Sequence, residues 1–153
     1  MTYQELAVAV PELASGLFDR DARQDDVVAL CAPNSIEFVL AWYPASSIGA
    51  IVTTLNPAST AAELTHQLRT AGARWLVTTA QLYDEKLRGA ADAAGIGESM
   101  LIGATGEPRE RAIAFDSLHG GGHTDPPPVH VSPATSRFSR SRAAPRGCRR
   151  ALC

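Results

Sequence analysis

Residues 26–68 read DVVALCAPNSIEFVLAWYPASSIGAIVTTLNPASTAAELTHQL. The apolar run at residues 27–30 predicts a short buried strand, and the PNS turn that follows at residues 33–35 can cap a helix. Residues 50–55 are rich in β-branched side chains and predict a second strand, which ends at the NP pair of residues 56 and 57. A strand, a helix and a strand in this order are typical of one unit of a parallel sheet.

Capping signals continue the pattern on both sides of this stretch. Thr2 with Glu5, and Thr60 with Glu63, have the spacing of a capping box, in which each side chain bonds the other residue's free backbone N–H. Apolar residues at helical spacing follow each box. Gly72 is a helix stop for the second of these helices. Helices are therefore predicted to begin near residues 3 and 61.

Two prolines fall inside predicted helices. Proline lacks a backbone N–H and its ring clashes with the preceding turn. We expect Pro11 to kink the first helix or to mark a restart, and Pro44 to damage the helix that follows the PNS turn.

Further strand and helix patterns alternate up to residue 120. Strands are predicted at residues 74–79, 100–103 and 113–115, and a helix that carries Leu82 and Leu87 ends at Gly95. The alternation predicts an α/β fold: a three-layer subdomain with parallel strands that start at Asp26, Ala50, Arg74 and Ser99. We expect this sheet to be incomplete, with an open edge through which the chain could self-associate.

The charge distribution changes near residue 134. All 16 acidic residues lie at or before Asp125, whereas residues 135–153 contain six arginines and no acidic residue. Glycine and proline triplets at residues 120–122 and 126–128 indicate a linker. We therefore divide the chain into a subdomain (1–125), a linker (126–134) and a disordered tail (135–153).

Cysteine and histidine patterns give little support for a metal centre. Three cysteines fit no metal spacing and no even set of disulfides, and no secretory signal or apolar membrane span is visible. We predict a cytoplasmic protein without a membrane span. His119 and His123 are four residues apart but are separated by three glycines, which favours a loop over a metal site; His66 and His130 have no fixed partner spacing.

No catalytic constellation is visible in residues 1–134. Cys31 lies in an apolar strand and is interpreted as a small core residue rather than a nucleophile. Ser35, Ser59 and Thr60 are interpreted as caps. No glycine-rich phosphate loop is written in the sequence. We therefore assign no catalytic, cofactor-binding or metal-binding residue, and expect no bound cofactor.

Several segments resemble the adenylate-forming, or AMP-binding, superfamily, and most of all its 4-coumarate-CoA ligase and fatty-acyl-CoA synthetase branch. The similar segments are TYQEL at residues 2–6, the whole of residues 26–68, GARWLVTT at residues 72–79 and AFDSL at residues 114–118. The resemblance covers residues 1 to about 134 and implies the N-terminal subdomain of such an enzyme. Members of the family normally have further structure before the TYQEL motif, so we expect that the N-terminus is either shortened or wrongly assigned.

The family has a phosphate loop where this chain has its arginine tail. We therefore tested whether one base is missing near the Ala134 codon. Synonymous codons can be chosen for residues 135–153 so that, once a base is restored in front of them, the sequence translates to DVAVLPFSSGTTGLPKGVM. The middle base of a recovered codon is the first base of a written codon, so it is fixed except at serine, arginine and leucine, where a codon family must be chosen, as at Arg150 and Leu152. The restored reading contains the family's phosphate-binding signature in the expected place, so residues 135–153 are interpreted as an out-of-frame tail.

By resemblance, the parent enzyme activates a carboxylic acid with ATP and Mg²⁺ as an acyl-adenylate, and transfers the acyl group to CoA. This chain lacks the phosphate loop and all parts that follow it, so we expect it to be inactive as a ligase. Two other classes stay open. One is a small non-catalytic module that binds a protein partner. The other is a nucleic-acid binder that uses the basic tail, although our prediction is that the chain has no nucleic-acid partner.

Overall fold

A computed structural model describes residues 1–105, 109–119, 126 and 129. The α-helices are α1 (Tyr3–Asp19), α2 (Ile36–Ser47), α3 (Ala61–Ala71), α4 (Ala80–Leu82) and α5 (Arg88–Ala94). A π-helical turn, Tyr83–Leu87, joins α4 to α5, and a 3-10 turn spans Phe115–Leu118. The strands are β1 (Val27–Cys31), β2 (Ile51–Thr54), β3 (Trp75–Thr79), β4 (Glu98–Ile102) and β5 (Ala112–Ala114).

The five strands form one parallel sheet in the order β2-β1-β3-β4-β5. Strand β1 lies between β2 and β3. Its residue Val28 is opposite Val52 of β2 on one side and opposite Trp75 of β3 on the other. Parallel neighbours need a crossover connection, and helices supply it between β1 and β2, between β2 and β3, and between β3 and β4. The predicted parallel α/β sheet is confirmed.

Side chains alternate between the two faces of the sheet and build a separate core on each. One core includes Leu13 of α1, Ala41 of α2 and Val28 of β1. The other includes Leu64 of α3 and Leu87 of the π-helical turn. Because both faces are buried, the strands are continuous apolar runs instead of alternating polar and apolar ones. The three-layer arrangement predicted from the sequence is therefore confirmed.

Caps predicted from sequence spacing begin two of the helices. Thr2 and Glu5 form a complete capping box at α1, and Thr60 and Glu63 form the second one at α3. Gly72 follows α3 in the left-handed conformation (φ 65°), which a glycine adopts without steric cost. These signals are local in the chain, which is why the sequence predicted them correctly.

Neither proline ends its helix, so a restart at Pro11 and an interruption of α2 at Pro44 are both wrong, whereas a kink at Pro11 stays a prediction. Pro11 lies inside the continuous helix α1 at an exposed position, and Ala7, whose carbonyl loses its N–H partner, is exposed and can bond water. Pro44 is buried in α2, which continues to Ser47, and the Pro44 carbonyl accepts a hydrogen bond from Ile48 N at 3.3 Å. Packing against the sheet offsets the missing bond of Pro44.

The chain after β5 folds back onto α1. At Gly16 of α1, an added Cβ would lie 2.4 Å from the backbone oxygen of Leu118. At Gly49, which has φ 81°, an added Cβ would lie 2.8 Å from Cγ1 of Val129. Both glycines therefore permit close approach by residues from the last described segments. The predicted linker (126–134) and tail (135–153) lie outside the described residues, apart from Pro126 and Val129.

Strands β2 and β5 are the two edges of the sheet as far as the structure describes the chain. Whether an edge mediates self-association stays a prediction. No helix among the described residues is both long and apolar enough to cross a membrane.

Substituting Gly16→Ala is expected to destabilise the protein by about 1–3 kcal/mol, because the new methyl group overlaps the Leu118 carbonyl and the 3-10 turn must shift. Gly89→Ala is the matched control: Gly89 is also helical, but nothing lies within 4 Å of its added Cβ. The control should be stabilising by about 0.5–1 kcal/mol. Urea unfolding measures both, and equal effects would contradict this packing.

Removing a capping hydroxyl with Thr60→Ala is expected to cost about 1 kcal/mol in the free energy of unfolding, because the N–H of Glu63 loses its partner at 3.3 Å. The measurement is again urea unfolding, at neutral pH. An unchanged midpoint would mean that this cap does not stabilise α3.

Acid should weaken the same cap. The backbone N–H of Thr60 and then its hydroxyl hold the pKa of Glu63 below its ordinary value of 4.5. A lowered carboxylate pKa contributes stability that is present above pH 4.5 and is lost as the pH falls through the folded-state pKa. Glu63→Gln keeps a capping acceptor and removes the titration. Below pH 4.5, this variant should lose less stability than the parent chain, and superimposable curves would contradict the assignment.

Candidate functional site

The order of the strands indicates where a ligand site would be expected. In this sheet the chain passes from β1 outward to β2, then returns past β1 to β3. Open parallel sheets bind ligands at the carboxyl ends of the strands where the order reverses. That position lies between the ends of β1 and β3, where α2 and α4 begin on opposite faces of the sheet, and we call it the crevice.

Hydroxyl groups at this crevice already bond helix backbones. Ser35 Oγ accepts from the N–H of Phe38 at 3.2 Å, and Thr79 Oγ1 accepts from the N–H of Leu82 at 3.2 Å. Backbone hydrogen bonding and then the Ser35 hydroxyl lower the pKa of Glu37 at the start of α2. The caps proposed for Ser35 and Thr60 are confirmed. Ser59 is not a cap, because Thr60 occupies the cap position of α3.

Cys31 and Thr78 lie opposite each other in β1 and β3 beneath the crevice. Both are fully buried. Burial raises the pKa of the Cys31 thiol to about 11, although the charge of Lys86 opposes the shift. The thiol is therefore neutral near pH 7, and the interpretation of Cys31 as a core residue is confirmed. Thr78 Oγ1 has no hydrogen-bond partner among the described residues.

Lys86 joins two loops through hydrogen bonds from its side chain. Its ammonium group donates to the backbone carbonyl of Pro57 and, at 3.0 Å, to that of Ser59. These contacts join the turn after β2 to the π-helical turn. These two hydrogen bonds account for the position of the Lys86 side chain, so we assign it a structural role.

A polar groove of about 750 Å³ lies beside α5 and the start of β5. Its lining residues are Tyr83, Asp84, Arg88, Asp92, Arg109, Glu110 and Arg111. Asp84 is the centre of its ion pairs: Arg88 approaches at 2.6 Å, and Arg109 binds both carboxylate oxygens at 2.8 and 3.1 Å. The pairs connect the π-helical turn to the segment before β5.

The surroundings of Asp84 and Tyr83 in the groove shift the pKa values of both side chains. The hydrogen bond from Arg109, and then the neighbouring Arg88, lower the pKa of Asp84. Burial and the charge of Asp92 raise the pKa of Tyr83, while a hydrogen bond with Ser99 opposes the shift. The lowered pKa keeps Asp84 ionised near pH 7 and the raised pKa keeps Tyr83 protonated, so neither side chain is suited to act as a general base there.

Histidines do not form a metal site in the part of the chain that is described. His66 is exposed on α3, and Nδ1 of His119 lies 3.6 Å from Glu12 on α1. His123 and His130 lie outside the described residues. Among described positions, no group of three or more His, Cys, Asp or Glu side chains could hold a metal ion.

The groove is the feature that sequence reasoning missed. Asp84 and Arg109 are 25 residues apart and belong to different elements, so no local spacing links them. The order of the strands is what brings α5 and β5 together. Sequence alone identified the capping residues and the core position of Cys31.

Comparison with known proteins gives a consistent result. The family model for AMP-binding enzymes matches residues 1–136. The chain is 36% identical over 126 residues to 4-coumarate–CoA ligase 3 of Arabidopsis thaliana, covering 82% of this chain and 21% of that protein. It is 35% identical over 133 residues to 4-coumarate-CoA ligase 1 of Narcissus pseudonarcissus, covering 87% of this chain and 24% of the relative.

A solved structure has the same fold. The crystal structure of a long-chain-fatty-acid-CoA ligase from Archaeoglobus fulgidus superimposes with a TM-score of 0.76 at 23% identity, covering 90% of this chain and 27% of that one. The chain thus spans about a quarter of the proteins that it matches. On the family match and the two plant relatives together, this chain belongs to the family of AMP-binding enzymes.

Proposed function

We propose that this chain is the N-terminal subdomain of an acyl-CoA synthetase and that it does not catalyse the ligation by itself. The parent reaction is the ATP-dependent joining of a carboxylic acid to CoA through an acyl-adenylate. The observation that carries the proposal is the position of the family match, which runs through residues 1–136 and stops two residues after Ala134. Ala134 is where the reading frame was inferred to change.

The described residues do not fit ATP and Mg²⁺. The hydroxyls of Ser35 and Thr79 cap α2 and α4, and the hydroxyl of Thr78 is fully buried. The ammonium group of Lys86 is bonded to the carbonyls of Pro57 and Ser59. A phosphate loop needs small residues whose backbone N–H groups reach the phosphates. In the restored frame, SSGTTGLPKG would provide them.

The remaining residues act as a scaffold in this proposal. Paired charges around Asp84 and the buried neutral thiol of Cys31 stabilise the subdomain without taking part in proton or acyl transfer. The predicted cytoplasmic location and the absence of a nucleic-acid partner stay predictions.

For the full 153-residue chain, no ATP-dependent release of pyrophosphate is expected with 4-coumarate or with long-chain fatty acids. An intact plant 4-coumarate–CoA ligase serves as the positive control. Pyrophosphate release above the enzyme-free blank, with either class of acid, would contradict the assignment of this chain as non-catalytic.

Sequencing the locus across the Ala134 codon tests the reading frame separately. If the proposal holds, one of the other frames downstream encodes SSGTTGLPKG and continues as a ligase. Absence of that sequence from every frame would show that the arginine-rich tail has another origin, whatever the result of the activity assay.

A further inference from the structure

We draw no further inference here: the strongest candidate, the polar groove beside α5 and the start of β5, is lined by three arginines and three acidic side chains, and nothing in the structure shows which ligand such a balanced set of charges would hold.

Discussion

The fold depends on strand β1, Val27–Cys31, which is paired on both edges and covered on both faces. Both of its neighbours are parallel to it, and parallel neighbours cannot be joined by a tight hairpin. Helix α2 therefore connects β1 to β2, and α3 connects β2 to β3. One of these helices lies on each face of the sheet. The later strands extend the same sheet, because β4 pairs with β3 and β5 pairs with β4. The alternation of Val28 and Leu30 with Ala29 and Cys31 divides the apolar side chains between the two cores.

Polar groups in the described residues mostly connect elements. Arg69 donates to the carbonyl of Ala93 at 3.0 and 2.6 Å and joins α3 to the end of α5. Arg74, at the start of β3, bonds Asp21 and Asp26 at 2.8 and 2.9 Å. With Lys86, these contacts hold loops at both ends of the sheet. In each of these cases the cation joins segments that are distant in the chain.

Helices α2 and α3 differ in the side chains that they expose. The outer side of α3 is polar and typical of contact with water, whereas α2 exposes the large side chains of Ile36 and Tyr43. The two helices are nevertheless held in the same way, because each packs apolar residues against its own face of the sheet.

The sequence by itself determined the features that depend on neighbouring residues. Capping boxes at Thr2 and Thr60, the stop at Gly72 and the apolar runs of the strands all act within a few residues, so the α/β class and the parallel sheet could be predicted. Tertiary structure decided the rest. Whether Pro44 breaks α2 depends on packing against the sheet, and the contact of Asp84 with Arg109 depends on the order of the strands, because contacts between distant residues leave no periodic signal in the chain.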